Sequence, residues 1–103
     1  MKIAEIYPKE LKDLLSQKSD FFLIDVRNPE EYEEEHIKGS ILIPVHVISE
    51  RIKGIKQDKH LVTYCRTGRR SKTAAQMLVE MGYTNVGHLI GGYEAWINEG
   101  FRD

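Results

Sequence analysis

His60-Leu61-Val62-Thr63-Tyr64-Cys65-Arg66-Thr67-Gly68-Arg69-Arg70-Ser71, continued by residues 72–82 to Met81-Gly82, is the stretch on which the fold turns. Residues 60–64 are rich in β-formers and predict a strand that runs directly into Cys65. A polar loop with one glycine and three arginines follows. From Ser71 to Met81 the apolar positions Ala74, Ala75, Leu78 and Met81 share one helical face, and Gly82 stands where a left-handed C-terminal cap belongs. Strand, short loop and helix in succession are half of a parallel crossover unit. The thiol therefore sits at the carboxyl end of a strand.

The same alternation extends outward in both directions. Upstream, Phe21-Phe22-Leu23-Ile24-Asp25-Val26 is an apolar run typical of a strand buried on both faces of a parallel sheet, ending near Asp25. Asn28-Pro29-Glu30-Glu31 then reads as an N-cap, a first-turn proline and acids suited to the positive end of a helix that continues to about Glu34. Pro8 with Leu11, Leu14 and Leu15 predicts a helix over 8–17. Gly39-Ser40 precedes a short strand, Ile41-Leu42-Ile43, stopped by Pro44, and residues 49–55 predict a short helix. Downstream come a strand over Asn85–Ile90, a Gly91-Gly92 turn and a last helix over Tyr93–Asn98, with Trp96 and Tyr93 as packing residues. The fold class is α/β, a parallel sheet with helices on both faces. Ligands of such sheets bind outside the carboxyl ends of the strands, where Cys65 and Asp25 both lie.

At 103 residues with 41% apolar composition, the chain fits one domain spanning 1–103. A single cysteine excludes an internal disulfide and suits a reducing compartment, so a cytoplasmic location is expected. His36, His46, His60 and His88 form no metal-ligand pattern, and no Cys/His cluster is present, so no metal is expected. Gly87 to Gly92 has the wrong spacing for a nucleotide fingerprint, and no cofactor is expected. No run approaches the roughly 20 apolar residues of a membrane span. The formal net charge of -1 gives no field to draw nucleic acid or an anionic membrane. The charge is unevenly distributed, however. Residues 1–50 carry 6 Lys/Arg against 11 Asp/Glu, with five Glu between 30 and 35, whereas residues 51–103 carry 9 against 5. Four of those cations fall in the eight residues that begin at Cys65.

A lone cysteine taken without context is most often core filler. Here it precedes a loop whose successive N–H groups can converge on an anion and a helix whose N-terminus adds positive potential. Only about 3% of an ordinary thiol is ionised at neutral pH, and cations or helix N-termini raise that fraction. The loop is thus expected to be an anion cradle around a nucleophilic thiol.

Six segments carry a family resemblance: Leu23-Ile24-Asp25-Val26-Arg27, Pro29-Glu30-Glu31-Tyr32, His36-Ile37-Lys38-Gly39-Ser40, Ile43-Pro44, Tyr64-Cys65-Arg66-Thr67-Gly68-Arg69-Arg70-Ser71 and Gly91-Gly92-Tyr93-Glu94-Ala95-Trp96. In this order, over nearly the whole chain, they resemble a single-domain rhodanese. The sequence departs from the family's pattern at Glu35, where Gly often stands. The resemblance implies a three-layer α/β sandwich around a mainly parallel sheet of about five strands. It also implies a sulfurtransferase that carries sulfane sulfur as a Cys persulfide. By position, Cys65 would take the sulfur, with Arg66, Thr67, Gly68, Arg69 and Arg70 as the cradle. Arg66, Arg69 and Arg70 would meet an anionic donor such as thiosulfate and stabilise the departing charge. Asp25, Arg27 and Ser71 are expected to support the site structurally, with acids such as Glu31 in reach of Arg27.

The acceptor would be cyanide or a thiol. A persulfide carrier dedicated to a protein acceptor needs the same loop and stays open as an alternative. A cysteine phosphatase or arsenate reductase is the other rival. Those phosphatases place five residues between Cys and Arg, whereas Arg70 follows Cys65 after four, a ring better suited to one sulfur atom than to a phosphoryl group.

Overall fold

The computed structural model describes residues 3–101. Residues 1, 2, 102 and 103 of the 1–103 span lie outside the described residues. The elements in order are β1 (Ala4–Ile6), α1 (Pro8–Ser16), β2 (Phe22–Asp25), α2 (Pro29–Glu34), β3 (Ile41–Leu42), α3 (Ile48–Arg51), β4 (His60–Tyr64), α4 (Arg69–Glu80), β5 (Asn85–Leu89) and α5 (Gly92–Asn98). Single 3-10 turns, Val45–Val47 and Ile52–Gly54, flank α3, so the helix expected over 49–55 is broken into pieces. β1 was not apparent in the sequence. It is a three-residue edge strand with two exposed positions, too short to show an apolar period.

Local signals explain where the helices begin. In α1, Pro8 occupies the first turn, and the Glu10 carboxylate accepts the Tyr7 N–H at 2.8 Å. In α2, the Glu31 carboxylate does the same for the Asn28 N–H at 3.0 Å. α4 starts at Arg69, two residues before the expected Ser71, because Gly68 caps it with φ of 112°, a conformation that favours glycine.

The five strands form one entirely parallel sheet in the order β1-β5-β4-β2-β3. Alternate residues of β4 feed two cores. Leu61 packs with Ile24, Ile48, Ala74, Ala75 and Leu78 on one face. Val62 and Tyr64 pack with Leu11, Leu23, Leu89 and Trp96 on the other. Helices thus cover both faces, as a fully buried parallel sheet requires. The chain leaves β2 toward β3 and leaves β4 toward β5, on opposite sides of the β2/β4 pair. That divergence opens a crevice at the carboxyl ends of β2 and β4. Arg27 follows one of these strands and Cys65 the other.

Candidate active site

Cys65 is the first residue beyond β4, and only 1% of it is exposed. The backbone N–H groups of Gly68 and Ser71 donate to its Sγ at 3.1 and 3.3 Å. Gly68 N–H belongs to the loop, while Ser71 N–H is one of the first-turn donors that a helix cannot satisfy internally. Two backbone dipoles and the amino end of a twelve-residue helix therefore converge on one sulfur atom. Both N–H groups are already in place to meet negative charge on that sulfur.

The outer side of the loop is held by α5. Tyr93 N–H donates to the Cys65 carbonyl at 2.8 Å, and Glu94 N–H donates to the Arg66 carbonyl at 3.1 Å. This arrangement draws Gly92 so near that a Cβ there would lie 2.5 Å from the Arg66 carbonyl carbon and oxygen. The sequence marked Gly91-Gly92 only as a turn. The glycine pair ahead of a helix was the available signal, but the loop it presses against lies 26 residues earlier in the chain.

The three loop arginines take different positions. Arg66 is exposed and its Nε donates to the Glu94 carboxylate at 3.1 Å. Arg69 is exposed, and its side chain makes no hydrogen bond or ion pair among the described residues. Thr67 is exposed as well. Arg70 turns to α2 and grips the Glu31 carboxylate with both terminal nitrogens, at 2.9 and 3.2 Å. The Arg70 guanidinium, helped by the Asn28 N–H, brings the Glu31 carboxyl down to about 2 against the opposing effect of burial.

Of the acids within reach of Arg27, the one that pairs with it is Asp25, not Glu31. Arg27 is 4% exposed and binds Asp25, itself fully buried, through Nη2 at 2.8 Å and Nε at 3.0 and 3.1 Å. Its own N–H also donates to Asp25 at 2.9 Å, and Nη2 reaches the Glu35 carbonyl at 2.6 Å. The guanidinium lies 5.6 and 4.9 Å from the ring centres of Tyr64 and Tyr93. Burial opposes the charge on Arg27, but the Asp25 carboxylate, with smaller contributions from Tyr64 and Glu31, outweighs it and raises the guanidinium above its ordinary range. The pair spans two residues of chain and joins β2 to α2; removing one buried partner would leave the other charge uncompensated.

Between α2 and α5 lies a cleft of about 660 Å³. Arg27 lines it, Glu34 and Glu35 stand on one wall, Tyr93 and Glu94 on the other, and Arg66 borders it on the Cys65 loop. The Tyr93 hydroxyl donates to Glu35 at 2.9 Å and so ties the two walls together. Among the described residues no helix is long and apolar enough to cross a membrane, and no three His, Cys, Asp or Glu side chains are grouped to hold a metal ion.

A parallel α/β sheet with a buried cysteine cradled between a strand and a helix defines a class of thiol-centred domains. Residues 7–99 match the family model for a rhodanese-like domain, and the chain belongs to that family. A sulfurtransferase from Allochromatium vinosum is 36% identical over 98 residues, which cover 95% of this chain and 92% of that protein. Thiosulfate sulfurtransferase GlpE from Coxiella burnetii is 38% identical over 82 residues, covering 80% of this chain and 77% of GlpE. Among solved structures, a rhodanese-related protein from Thermoplasma volcanium superposes with a TM-score of 0.84 at 31% identity, over 95% of this chain and 94% of that one. The general activity that these relatives support is sulfur transfer.

Proposed function

We propose that the chain moves sulfane sulfur from an anionic donor such as thiosulfate to cyanide or a thiol through a persulfide on Cys65, in the reducing setting of the cytoplasm. The observation that carries this reading is the convergence of the Gly68 and Ser71 N–H groups on Cys65 Sγ. In the first half-reaction the Cys65 thiolate attacks the outer sulfur of thiosulfate. A new S–S bond forms as the S–S bond of the donor breaks, and sulfite leaves with the electron pair. In the second, cyanide attacks the terminal sulfur, thiocyanate departs and the thiolate is restored. Charge on sulfur appears in both halves, where fixed N–H donors are most effective. Arg69 would meet the incoming anion, a reading supported by its exposure on the Cys65 loop and by its side chain having no hydrogen bond or ion pair among the described residues. Arg66 can assist by exchanging its exposed contact with Glu94.

The covalent intermediate is the direct test. Protein treated with thiosulfate and weighed intact under non-reducing conditions should gain about 32 Da on the peptide that contains Cys65. Cyanide should remove that mass as thiocyanate, which separates a sulfane sulfur from a sulfinic acid of nearly equal mass. Absence of any cyanide-labile adduct from thiosulfate or another sulfane donor would overturn the reading.

A further inference from the structure

Behind Cys65 runs a second line of contacts that the transfer steps above do not use. Ser71 is fully buried, and its Oγ lies 3.7 Å from Cys65 Sγ and 3.2 Å from the Gly68 carbonyl oxygen. On the far side, His88 Nδ1 on β5 lies 3.2 Å from the same Oγ, with the histidine 6% exposed. Sulfur, hydroxyl and imidazole thus form a continuous chain that connects β5 to the thiol across α4.

A serine hydroxyl has one proton to donate and two lone pairs to receive with. Around Ser71 Oγ, the Gly68 carbonyl only accepts, and an anionic sulfur only accepts. An unprotonated Nδ1 would be a third acceptor competing for the single proton. With the proton on Nδ1 the conflict disappears, because His88 then donates to Oγ. The Gly68 carbonyl is not left empty when the hydroxyl turns away, since it also accepts the Lys72 N–H at 3.2 Å.

Two arrangements then alternate. With a neutral thiol, Cys65 S–H donates to Ser71 Oγ and the hydroxyl donates to Gly68. Once the thiol proton has gone to solvent, the hydroxyl swings to the sulfur and joins the Gly68 and Ser71 N–H groups there. In both, a His88 ring that carries its proton on Nδ1 would donate to Oγ. We infer that His88 is a positioning residue, which holds the Ser71 oxygen in place and leaves its one proton free to serve the anionic sulfur of Cys65. This rests on the reading of Cys65 as the sulfur-bearing nucleophile. Burial, then the charge of Lys72 on α4, hold the basicity of the imidazole below the ordinary range, against the pull of Glu5 on β1, and so favour the neutral ring.

The test reads the thiol itself, so it is independent of any sulfur donor. Rates of Cys65 alkylation by iodoacetamide are followed against pH for wild type, Ser71→Ala, His88→Phe, His88→Asn and the double variant Ser71→Ala/His88→Phe. Removing one donor to the anion should slow alkylation below the midpoint by roughly three- to tenfold and move the midpoint upward. His88→Asn, whose amide can replace the Nδ1–H donor, should restore most of the rate. The double variant should be no slower than Ser71→Ala alone, because histidine acts only through the serine. A folded His88→Phe that alkylates like wild type, or a double variant in which the two effects add, would overturn the inference.

A second measurement needs no substitution. In wild-type protein with ¹⁵N-labelled histidine, His88 should carry its proton on Nδ1 at neutral pH, and a neutral ring protonated on Nε2 would overturn the inference. If the alkylation pattern holds while no cyanide-labile adduct forms, the positioning role stands and the sulfurtransferase reading fails.

Discussion

Replacing Gly92 by alanine perturbs the site without touching any group that carries its chemistry. The added methyl would lie 2.5 Å from both the carbonyl carbon and oxygen of Arg66 and 2.6 Å from the Cys65 oxygen. All three are backbone atoms of the thiol loop, so no flexible side chain can move aside. Gly92 also has φ of 63°, where an L-residue pays roughly 1 to 2 kcal/mol. Overpacking at a rigid contact adds roughly 1 to 3 kcal/mol. The expected loss is therefore about 2 to 5 kcal/mol, a large part of the ~5 to 15 kcal/mol that stabilises a typical domain. Gly39→Ala is the internal control, since Gly39 has φ of 92° but open space around its Cβ position, and it should lose only the backbone part. Urea unfolding of the two variants and wild type measures the difference, and thiosulfate-to-cyanide transfer should fall in Gly92→Ala beyond what its unfolded fraction explains. The loop can relieve the clash only by weakening the Tyr93 N–H bond to Cys65 and the Glu94 N–H bond to Arg66. If Gly92→Ala is no less stable than Gly39→Ala and transfers sulfur at the wild-type rate, the contact between α5 and the loop does not constrain the site.

Cys65→Ser should keep the fold and lose both the cyanide-labile adduct and thiosulfate-to-cyanide transfer, because a hydroxyl is not a soft nucleophile at neutral pH; substantial activity in the folded variant would show that the nucleophile lies elsewhere. Arg69→Ala should raise KM for thiosulfate by about tenfold or more, Arg66→Ala by less because Glu94 already neutralises it, and a neutral persulfide donor should respond to neither; equal effects on both donors would refute an anion-binding role. Glu31→Gln should destabilise the fold by about 1 kcal/mol near neutral pH, a figure reduced for solvent screening at the part-exposed Arg70. Glu31 ionises at about 2 in the fold against an ordinary 4.5, so its contribution is complete above that ordinary value and lost as pH falls toward 2. Urea midpoints of Glu31→Gln and wild type should accordingly converge in acid, and a gap that widens there would contradict the pairing.

Sequence alone determined whatever depends on neighbours within a few residues. Pro8 and Asn28-Pro29 marked helix starts because caps act inside one turn, and β4, the loop and α4 were legible as a unit for the same reason. The position of Cys65 at a strand's carboxyl end followed from that order, and the resemblance of six segments supplied the family. Tertiary structure decided the pairings between distant segments. β1 exists because β5 offers an open edge for Ala4–Ile6 to pair with, not because those residues prefer a strand. Glu31 had Arg27 nearby in sequence, yet Arg70, 39 residues away, takes its carboxylate, since burial beside Asp25 commits Arg27 inward. His88 showed no motif; it reaches Ser71 only because β5 lies next to β4 beneath α4. Each of these depends on which strand adjoins which, and that order is set by burial on both faces of the sheet rather than by any local code.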